Sequence, residues 1–359
     1  VCGDDKETLK SRYTFITYNY RVGSSLPNFN GSLVIIDEIH NLINGVRNES
    51  TNPMAVYNAV KDADCRLLAL SGTPVFENTN EFWYIGKLLK PNKFPDSRND
   101  FDLLFWSKED GSLIPKNPTR VKRLLENIVS YYPGSEEKMV PKIIEMPPVK
   151  AQMTLDQETY YWEEQRKEDK LAMFPPSEQL RQTDPRTYEL LRDLHIMAKR
   201  NIISRSAANM YYPEDIKEKP DLLSVSGGWI THNALADRKL AHCSSKITAL
   251  ILNIMNHFRQ KHVLFTFFKQ KAGAYLIQNL FALCDITVDV FSGDLDDVER
   301  RRMLKRFNSI ENRYGDLVKL LIVTEAGSEG ISILEARHMH ILESSPRASK
   351  ITQAIGRVA

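Results

Sequence analysis

The sequence has no long apolar run, few cysteines and almost no net charge. No stretch approaches the roughly 18 apolar residues of a membrane span, and the first five residues do not resemble a signal peptide. The four cysteines are scattered without a CxxC pair, which argues against a zinc ribbon or a disulfide framework and favours a reducing compartment. These absences predict a soluble protein with no membrane partner. The first residue is valine, so we expect part of a longer chain.

Length and charge limit the remaining possibilities. A chain of 359 residues is too long for one core and predicts two or three domains. The 48 basic and 46 acidic residues leave a net charge of +2. No positive field of the whole chain exists to attract nucleic acid, so any such contact requires a local basic surface.

The order of apolar segments predicts an α/β fold with three parts. Residues 1–100 and 236–359 alternate strand and helix candidates, whereas residues 101–235 are richer in prolines, acids and helical periodicity. We therefore predict two doubly wound parallel-sheet domains with a helical insertion between them. The strand candidates are Tyr13–Thr17, Leu33–Ile36, Arg66–Leu70, His262–Phe268, Ile286–Phe291, Lys319–Thr324 and His338–Leu342.

The tetrad Asp37-Glu38-Ile39-His40 directly follows the apolar run Leu33–Ile36. Open α/β sheets bind ligands at the carboxyl ends of their strands, where this pair of acids would lie. In nucleotide-driven motors one such acid holds Mg²⁺ and the other orients the attacking water. The simpler alternative is that the acids only cap the helix that follows.

A second tetrad, Ser71-Gly72-Thr73-Pro74, begins 34 residues after Asp37 and again follows an apolar run. Two hydroxyls and a glycine at a strand end can bridge metal-binding acids to a neighbouring domain. Taken alone, the tetrad is also a good turn sequence.

The third part of the chain contains candidate functional residues of its own. The segment Thr324–Ser332 follows a strand and includes Gly327 and Gly330, which permit a close approach of the backbone. Gln353 and Arg357 belong to the sequence QAIGR near the end of the chain. An arginine on a second domain can stabilise the charge of a reacting triphosphate when the domains close.

In order, the segments DEIH, SGTP, VLFTFF, FSGD, TEAGSEGIS and QAIGR resemble motifs II to VI of superfamily 2 helicases and translocases. The resemblance covers both α/β parts and implies RecA-like domains. The insertion also resembles the linker of a viral group related to Snf2 translocases, which contains the nucleoside triphosphate phosphohydrolase I and early transcription factor small-subunit proteins of large cytoplasmic DNA viruses. The segments that carry this second likeness are Ile128–Tyr132, Met153–Gln157 with Tyr160, Ser204–Asn209, and Pro213.

The resemblance implies a role for each residue of the first set. Asp37 would hold Mg²⁺ through water, and Glu38 would be the general base in the hydrolysis of ATP. His40 would relay the state of the nucleotide toward Ser71 and Thr73, and Gly72 belongs to the same coupling segment. In the second set, Gln353 and Arg357 would face the nucleotide. Thr324, Gly327 and Gly330 would lie near nucleic acid or the interdomain seam.

The function implied is an ATPase, dependent on ATP, Mg²⁺ and nucleic acid, that translocates on DNA in viral transcription. DNA is favoured over RNA as partner, with viral RNA polymerase or other transcription proteins beside it, in the host cytoplasm and virion. An RNA helicase and a non-catalytic transcription-complex scaffold remain alternatives.

Two departures from the family pattern affect activity. No GxxxxGK[ST] phosphate loop occurs, and the position after Ala359, where the family has a further arginine, lies beyond the chain. We therefore expect negligible ATP hydrolysis by this chain alone.

Three other features favour structural roles. The basic residues from Arg300 to Arg306 are expected to form a solvated helix face, partly paired to Asp296, Asp297 and Glu299. His338 and His340 share a strand face, but no third metal ligand is evident nearby. The aromatic residues expected in packing rather than base stacking are Trp83, Tyr84, Tyr131, Tyr132, Tyr211 and Tyr212.

Overall fold

The structure is a computed structural model that describes residues 12–17, 26–72, 81–109, 112–132, 142–213, 239–270, 272–324, 331–344, 348–356 and 358. The chain divides into two compact units, Val1–Gly134 and Ser135–Ala359. The domain boundaries expected near residues 100 and 235 stay predictions. No helix among the described residues is long and apolar enough to cross a membrane.

The first unit combines a parallel strand pair with helices and a hairpin. Its elements are β1 (Leu33–Ile36), α1 (Ile39–Arg47), α2 (Thr51–Lys61), β2 (Arg66–Ala69), α3 (Glu81–Leu89), a 3₁₀ turn (Pro91–Lys93), α4 (Arg98–Phe105), β3 (Trp106–Glu109), β4 (Ser112–Pro115) and α5 (Pro118–Leu125). β1 and β2 pair in parallel, whereas β3 and β4 form the antiparallel hairpin.

The β1–β2 pair buries only one of its faces. Val34 and Leu67 pack into the core formed with α1, α2 and α3, while Leu33 and Ile35 on the other face are 62% and 50% exposed. A short apolar run such as Leu33–Ile36 predicts a buried strand, and this expectation is wrong for half of its side chains. The physical reason is that the described helices of this core cover a single face.

Two further expectations for the first unit are wrong. Tyr13–Thr17 has no regular structure, and no strand among the described residues pairs with it. Tyr131 and Tyr132 are 83% and 76% exposed. They follow α5 beyond Ile128, the last residue to pack on the local aromatic core.

The second unit contains a helical part followed by a parallel sheet. The helical part comprises α6 (Leu155–Met173), α7 (Glu178–Thr183), α8 (Pro185–Lys199), α9 (Ile202–Asn209) and α10 (Lys239–Cys243). The sheet part comprises α11 (Ser245–Asn256), β5 (His262–Thr266), α12 (Ala274–Ala282), β6 (Val288–Phe291), α13 (Asp297–Phe307), a 3₁₀ turn (Ile310–Asn312), β7 (Leu320–Thr324), β8 (His338–Ile341) and α14 (Ala348–Ile355).

The four strands of the second unit form a parallel sheet in the order β6-β7-β5-β8. Alternate residues of β5 enter different cores: Leu264 packs with α11 and α12 on one face, and Val263 packs with Phe307 of α13 on the other. Helices on both faces of a parallel sheet define a doubly wound α/β fold. The predicted fold class and these four strands are confirmed, with the strands one to two residues shorter than expected.

The predicted solvated basic face of α13 is confirmed, since Arg301, Arg302, Lys305 and Arg306 are exposed, but the charge pairing differs from the prediction. The Asp296 side chain accepts the backbone N–H groups of Val298 and Glu299, and Glu299 closes a capping box on Asp296. Asp296 and Glu299 therefore cap the helix, and Arg300 and Arg306 have partners elsewhere. Arg306 lies 3.7 Å from Asp289 on β6, and Arg300 donates to the carbonyl of Gly293 at 3.2 Å.

Four histidines cluster near the amino ends of β5 and β8. His262 Nδ1 lies 3.0 Å from His340 Nε2, and His262 Nε2 lies 3.2 Å from the carbonyl oxygen of His257. Burial, with repulsion from neighbouring cations, lowers the pKa of His262 to about 4 and that of His340 to about 3. The ring of His338 stacks on His262 at 4.8 Å. No group of three or more His, Cys, Asp or Glu residues within the described ranges is arranged to hold a metal ion.

Candidate functional site

The acidic tetrad forms the junction between β1 and α1. Asp37 and Glu38 occupy a turn after Ile36, and the helix begins at Ile39. The backbone N–H of Ile39 donates to the carbonyl of Leu70 at 3.0 Å, so the end of β2 holds the turn in place. Asp37 is exposed, as a group that binds a hydrated ion must be.

Glu38 has a left-handed backbone conformation, with a φ of 49°. A residue with a side chain pays on the order of 1 kcal/mol or more there. Such conformations persist where the surrounding structure imposes them, and they concentrate at functional sites. The Glu38 side chain makes no capping hydrogen bond to α1, so the alternative that Glu38 only caps this helix lacks its expected hydrogen bond.

His40 links the acids to the second tetrad. Its Nδ1 atom lies 2.8 Å from Ser71 Oγ and 3.2 Å from Glu38 Oε2, and the residue is 6% exposed. One ring nitrogen thus contacts both a strand-end acid and the hydroxyl that follows β2. Gly72 is exposed beside Ser71, and Thr73 lies outside the described residues.

The predicted residues of the second unit are placed only in part. Thr324 ends β7 and is 5% exposed, and its hydroxyl oxygen is buried without a hydrogen-bond partner among the described residues. Gln353 lies within α14, although its side chain is outside the described part. Gly327, Gly330 and Arg357 are also outside it.

Sequence reasoning missed Glu343, which belongs to a group of polar residues at the carboxyl edge of the second sheet. Across the sheet, this edge presents Ser292, Thr324, Thr266 and Glu343, each buried. Glu343 directly follows the apolar residues Ile341 and Leu342, just as Asp37 follows Ile36. An acid after a strand was therefore the signal available in the sequence.

A DExH tetrad after β1, an SGTP sequence that begins after β2 and a QxxGR sequence that begins within α14 define a superfamily 2 helicase or translocase. The family described as the SNF2-related domain matches residues 7–208, more than half of the chain. The helicase conserved C-terminal domain matches residues 245–359. The chain therefore belongs to the SNF2-related family.

Viral proteins are among its relatives. A protein of Acanthamoeba polyphaga mimivirus, provisionally named an ATP-dependent RNA helicase, is 26% identical over 99% of this chain and 61% of its own length. The termination factor NPH-I homolog of African swine fever virus (isolate Tick/Malawi/Lil 20-1/1983) is 22% identical over 94% of this chain and 55% of its own. Nucleoside triphosphatase I of Melanoplus sanguinipes entomopoxvirus is 24% identical over 93% of this chain and 54% of its own length.

The chain thus spans little more than half the length of these three relatives. Among solved structures, the Pyrococcus furiosus Hef helicase domain matches 91% of this chain and 68% of its own, with a TM-score of 0.38 and 15% identity.

Proposed function

We propose that the protein containing this chain is a nucleic-acid-dependent ATPase that translocates on DNA during viral transcription. The contact of His40 Nδ1 with both Glu38 and Ser71 carries the proposal. It joins an acid suited to activating water with a hydroxyl that follows the neighbouring strand. Movement of either strand end therefore changes the surroundings of the other, which is what a coupled motor needs.

The residues at this site fit Mg²⁺, because carboxylate oxygens and water are the ligands that this ion prefers. Asp37 would hold the hydrated ion, which supplies positive charge for the phosphates of ATP, and Glu38 would accept a proton from the attacking water. The chain contains no GxxxxGK[ST] sequence, so these residues account for the metal and the water, not for the phosphate cradle.

The remaining predicted residues have roles in the same proposal. Ser71, Gly72 and Thr73 would couple the site to movement, and Gln353 and Arg357 would face the nucleotide. Thr324, whose hydroxyl has no hydrogen-bond partner within the described part of the chain, would lie with Gly327 and Gly330 near nucleic acid or the interdomain seam. The name of one relative, a termination factor homolog, supports a transcription role, and the name of another, a nucleoside triphosphatase, supports nucleotide hydrolysis. A viral RNA polymerase or other transcription proteins as partners, in the host cytoplasm and virion, belong to the same proposal.

An RNA helicase is the second candidate. The observation in its favour is the name of the mimivirus relative, which specifies RNA.

Steady-state ATP hydrolysis by the longer protein, with duplex DNA, single-stranded DNA or RNA added, distinguishes the candidates. We expect duplex DNA to stimulate turnover most, and Ser71→Ala to lower the stimulated rate about tenfold, because His40 loses its partner across the two strand ends.

Ser50→Ala is the matched control, since Ser50 precedes α2 without a side-chain capping bond; its stimulated rate should equal that of the wild type. Stronger stimulation by RNA would favour the RNA helicase. Absence of stimulation by every nucleic acid would refute both candidates.

A further inference from the structure

The helical part and the sheet of the second unit meet at Asn209, the last residue of α9. Asn209 is completely buried and its side chain uses both of its polar atoms. Its amide nitrogen donates to the carbonyl of Ala272 at 3.0 Å and to the Glu343 carboxylate. Its amide oxygen accepts from the Lys246 ammonium at 3.2 Å. One side chain of the helical part therefore contacts three separate segments of the sheet part.

Glu343 receives donors from three directions. Besides Asn209, the Thr266 hydroxyl donates to Oε1 at 2.8 Å and the backbone N–H of Phe267 donates to Oε2 at 3.1 Å. Glu343 is 4% exposed, and burial raises its pKa although these donors and Lys246 oppose the rise. The amide N–H of Asn209 and the backbone N–H of Phe267 each face one oxygen of the Glu343 carboxylate, and their other contacts fix them as donors. A glutamine would oppose one of them with its own N–H group.

Lys246 supplies the compensating charge. It lies on α11 and is half-buried, and burial lowers the pKa of its ammonium while Glu343 raises it. The Asn209 amide stands between the two, accepting from the lysine and donating to the glutamate. A buried carboxylate and a half-buried ammonium thus depend on one amide from another element.

The helix α9, which carries Asn209, is itself held in place, because side chains of α6 bond to both ends of α9. The buried Glu168 accepts from the backbone N–H groups of Ile203 and Ser204 at 2.7 and 3.0 Å. The buried Gln157 donates to the carbonyl of Ala208 at 3.3 Å. A displacement of α9 would therefore be transmitted to the 19-residue helix α6.

The contact of Asn209 with Glu343 and Lys246 is called the joint between the helical part and the sheet. A cation adds a second contact near this joint. Arg205 of α9 donates to the carbonyl of Ser344 at 2.7 Å, and its guanidinium lies 5.1 Å from the centre of the Phe267 ring. Both Ser344 and Phe267 follow strands of the sheet, at the same edge as Glu343 and Thr266.

We propose that Asn209, Glu343 and Lys246 are positioning residues that lock the helical part onto the carboxyl edge of the second sheet. Movement of that edge during the nucleotide cycle is thereby carried into α9 and α6. The three residues touch no substrate; they set the position of the elements that do. This inference rests on the proposed ATPase function for its kinetic consequence, whereas the joint itself is a property of the folded chain.

A double-mutant cycle across the joint tests the proposal, with Asn209→Ala on the helical side and Glu343→Gln on the sheet side. Each single variant should lower the DNA-stimulated kcat about tenfold and leave the KM for ATP within about twofold. The double variant should be no slower than the worse single variant, because the lock is already broken. Hydrogen exchange of the amides of α9 should accelerate about tenfold in all three variants, while α8 exchanges at the wild-type rate.

Glu189→Gln is the matched control, an exposed glutamate in the same helical part, and it should change neither readout. Independent effects that multiply to about a hundredfold in the double variant would overturn the proposal. So would single variants with wild-type kcat and wild-type exchange. If Glu343→Gln does not fold, Lys246→Met replaces it in the cycle. A wild-type protein without ATP turnover would refute the proposed function, and exchange of α9 alone would then decide the joint.

Discussion

Glu38→Gln should lower nucleic-acid-stimulated ATP turnover by about 10²- to 10⁴-fold, the usual contribution of a general base. Glutamine retains the size of the side chain, whose Oε2 atom in Glu38 lies 3.2 Å from His40 Nδ1. It cannot accept a proton from water. The KM for ATP should change by no more than about threefold, because the lost interaction acts in the transition state rather than in binding.

A matched control is available in the same unit. Glu49 shares the left-handed backbone of Glu38, with a φ of 53°, and it is exposed after the end of α1. Glu49→Gln should retain wild-type turnover. Equal turnover of Glu38→Gln and the wild type would remove Glu38 from the reaction, and the acids would then be helix-terminal residues only.

Acidification from pH 7.5 to pH 5 should destabilise the second unit by about 4 kcal/mol through His262 and His340 alone. Both histidines have a folded-state pKa, about 4 and about 3, below the ordinary value of about 6.5. The folded unit therefore binds fewer protons than the unfolded chain. Its stability is complete above about pH 6.5 and falls as the pH decreases toward 4 and then 3, with about 2 kcal/mol lost from each histidine by pH 5.

Burial is the main cause of the low pKa of His262, and the hydrogen bonds of its ring show where an added proton would go. Its Nε2–H faces the carbonyl of His257, so Nδ1 is left as the acceptor for the Nε2–H of His340. A proton added to Nδ1 would oppose that donor inside a buried cluster.

Hydrogen exchange of the amides of β5 at the two pH values measures this loss, with His340→Gln as the comparison. The glutamine amide keeps a donor for His262 but does not titrate, so the loss of stability should decrease by about half. An unchanged loss in His340→Gln would show that other groups cause the acid sensitivity.

Local rules predicted the parts of the candidate site that lie within one strand–helix repeat. Glu38 and Ser71 both follow apolar strands, and parallel strands end at the same edge, so spacing predicted that they lie close together. The link through His40 came from the family resemblance. The same rule would have located Glu343 after β8. Its partner Asn209 was not accessible, because the two residues are 134 positions apart and only the packing of α9 on the sheet brings them together.

Exposure was the property that sequence patterns predicted least well. An apolar run such as Leu33–Ile36 does not reveal whether helices cover one face or two, and the described structure covers one. Tyr13–Thr17 has strand-forming residues, but a strand also needs a neighbour for its backbone hydrogen bonds. In both cases the outcome depends on other segments of the chain.

The most direct test of the central proposal is displacement of the third strand from a DNA triplex by the longer protein in the presence of Mg²⁺ and ATP. A motor that tracks along duplex DNA should release the third strand with ATP and leave the duplex paired, and Glu38→Gln should release none. ATP hydrolysis without third-strand release would contradict translocation on DNA, and separation of an RNA duplex under the same conditions would assign the motor to RNA.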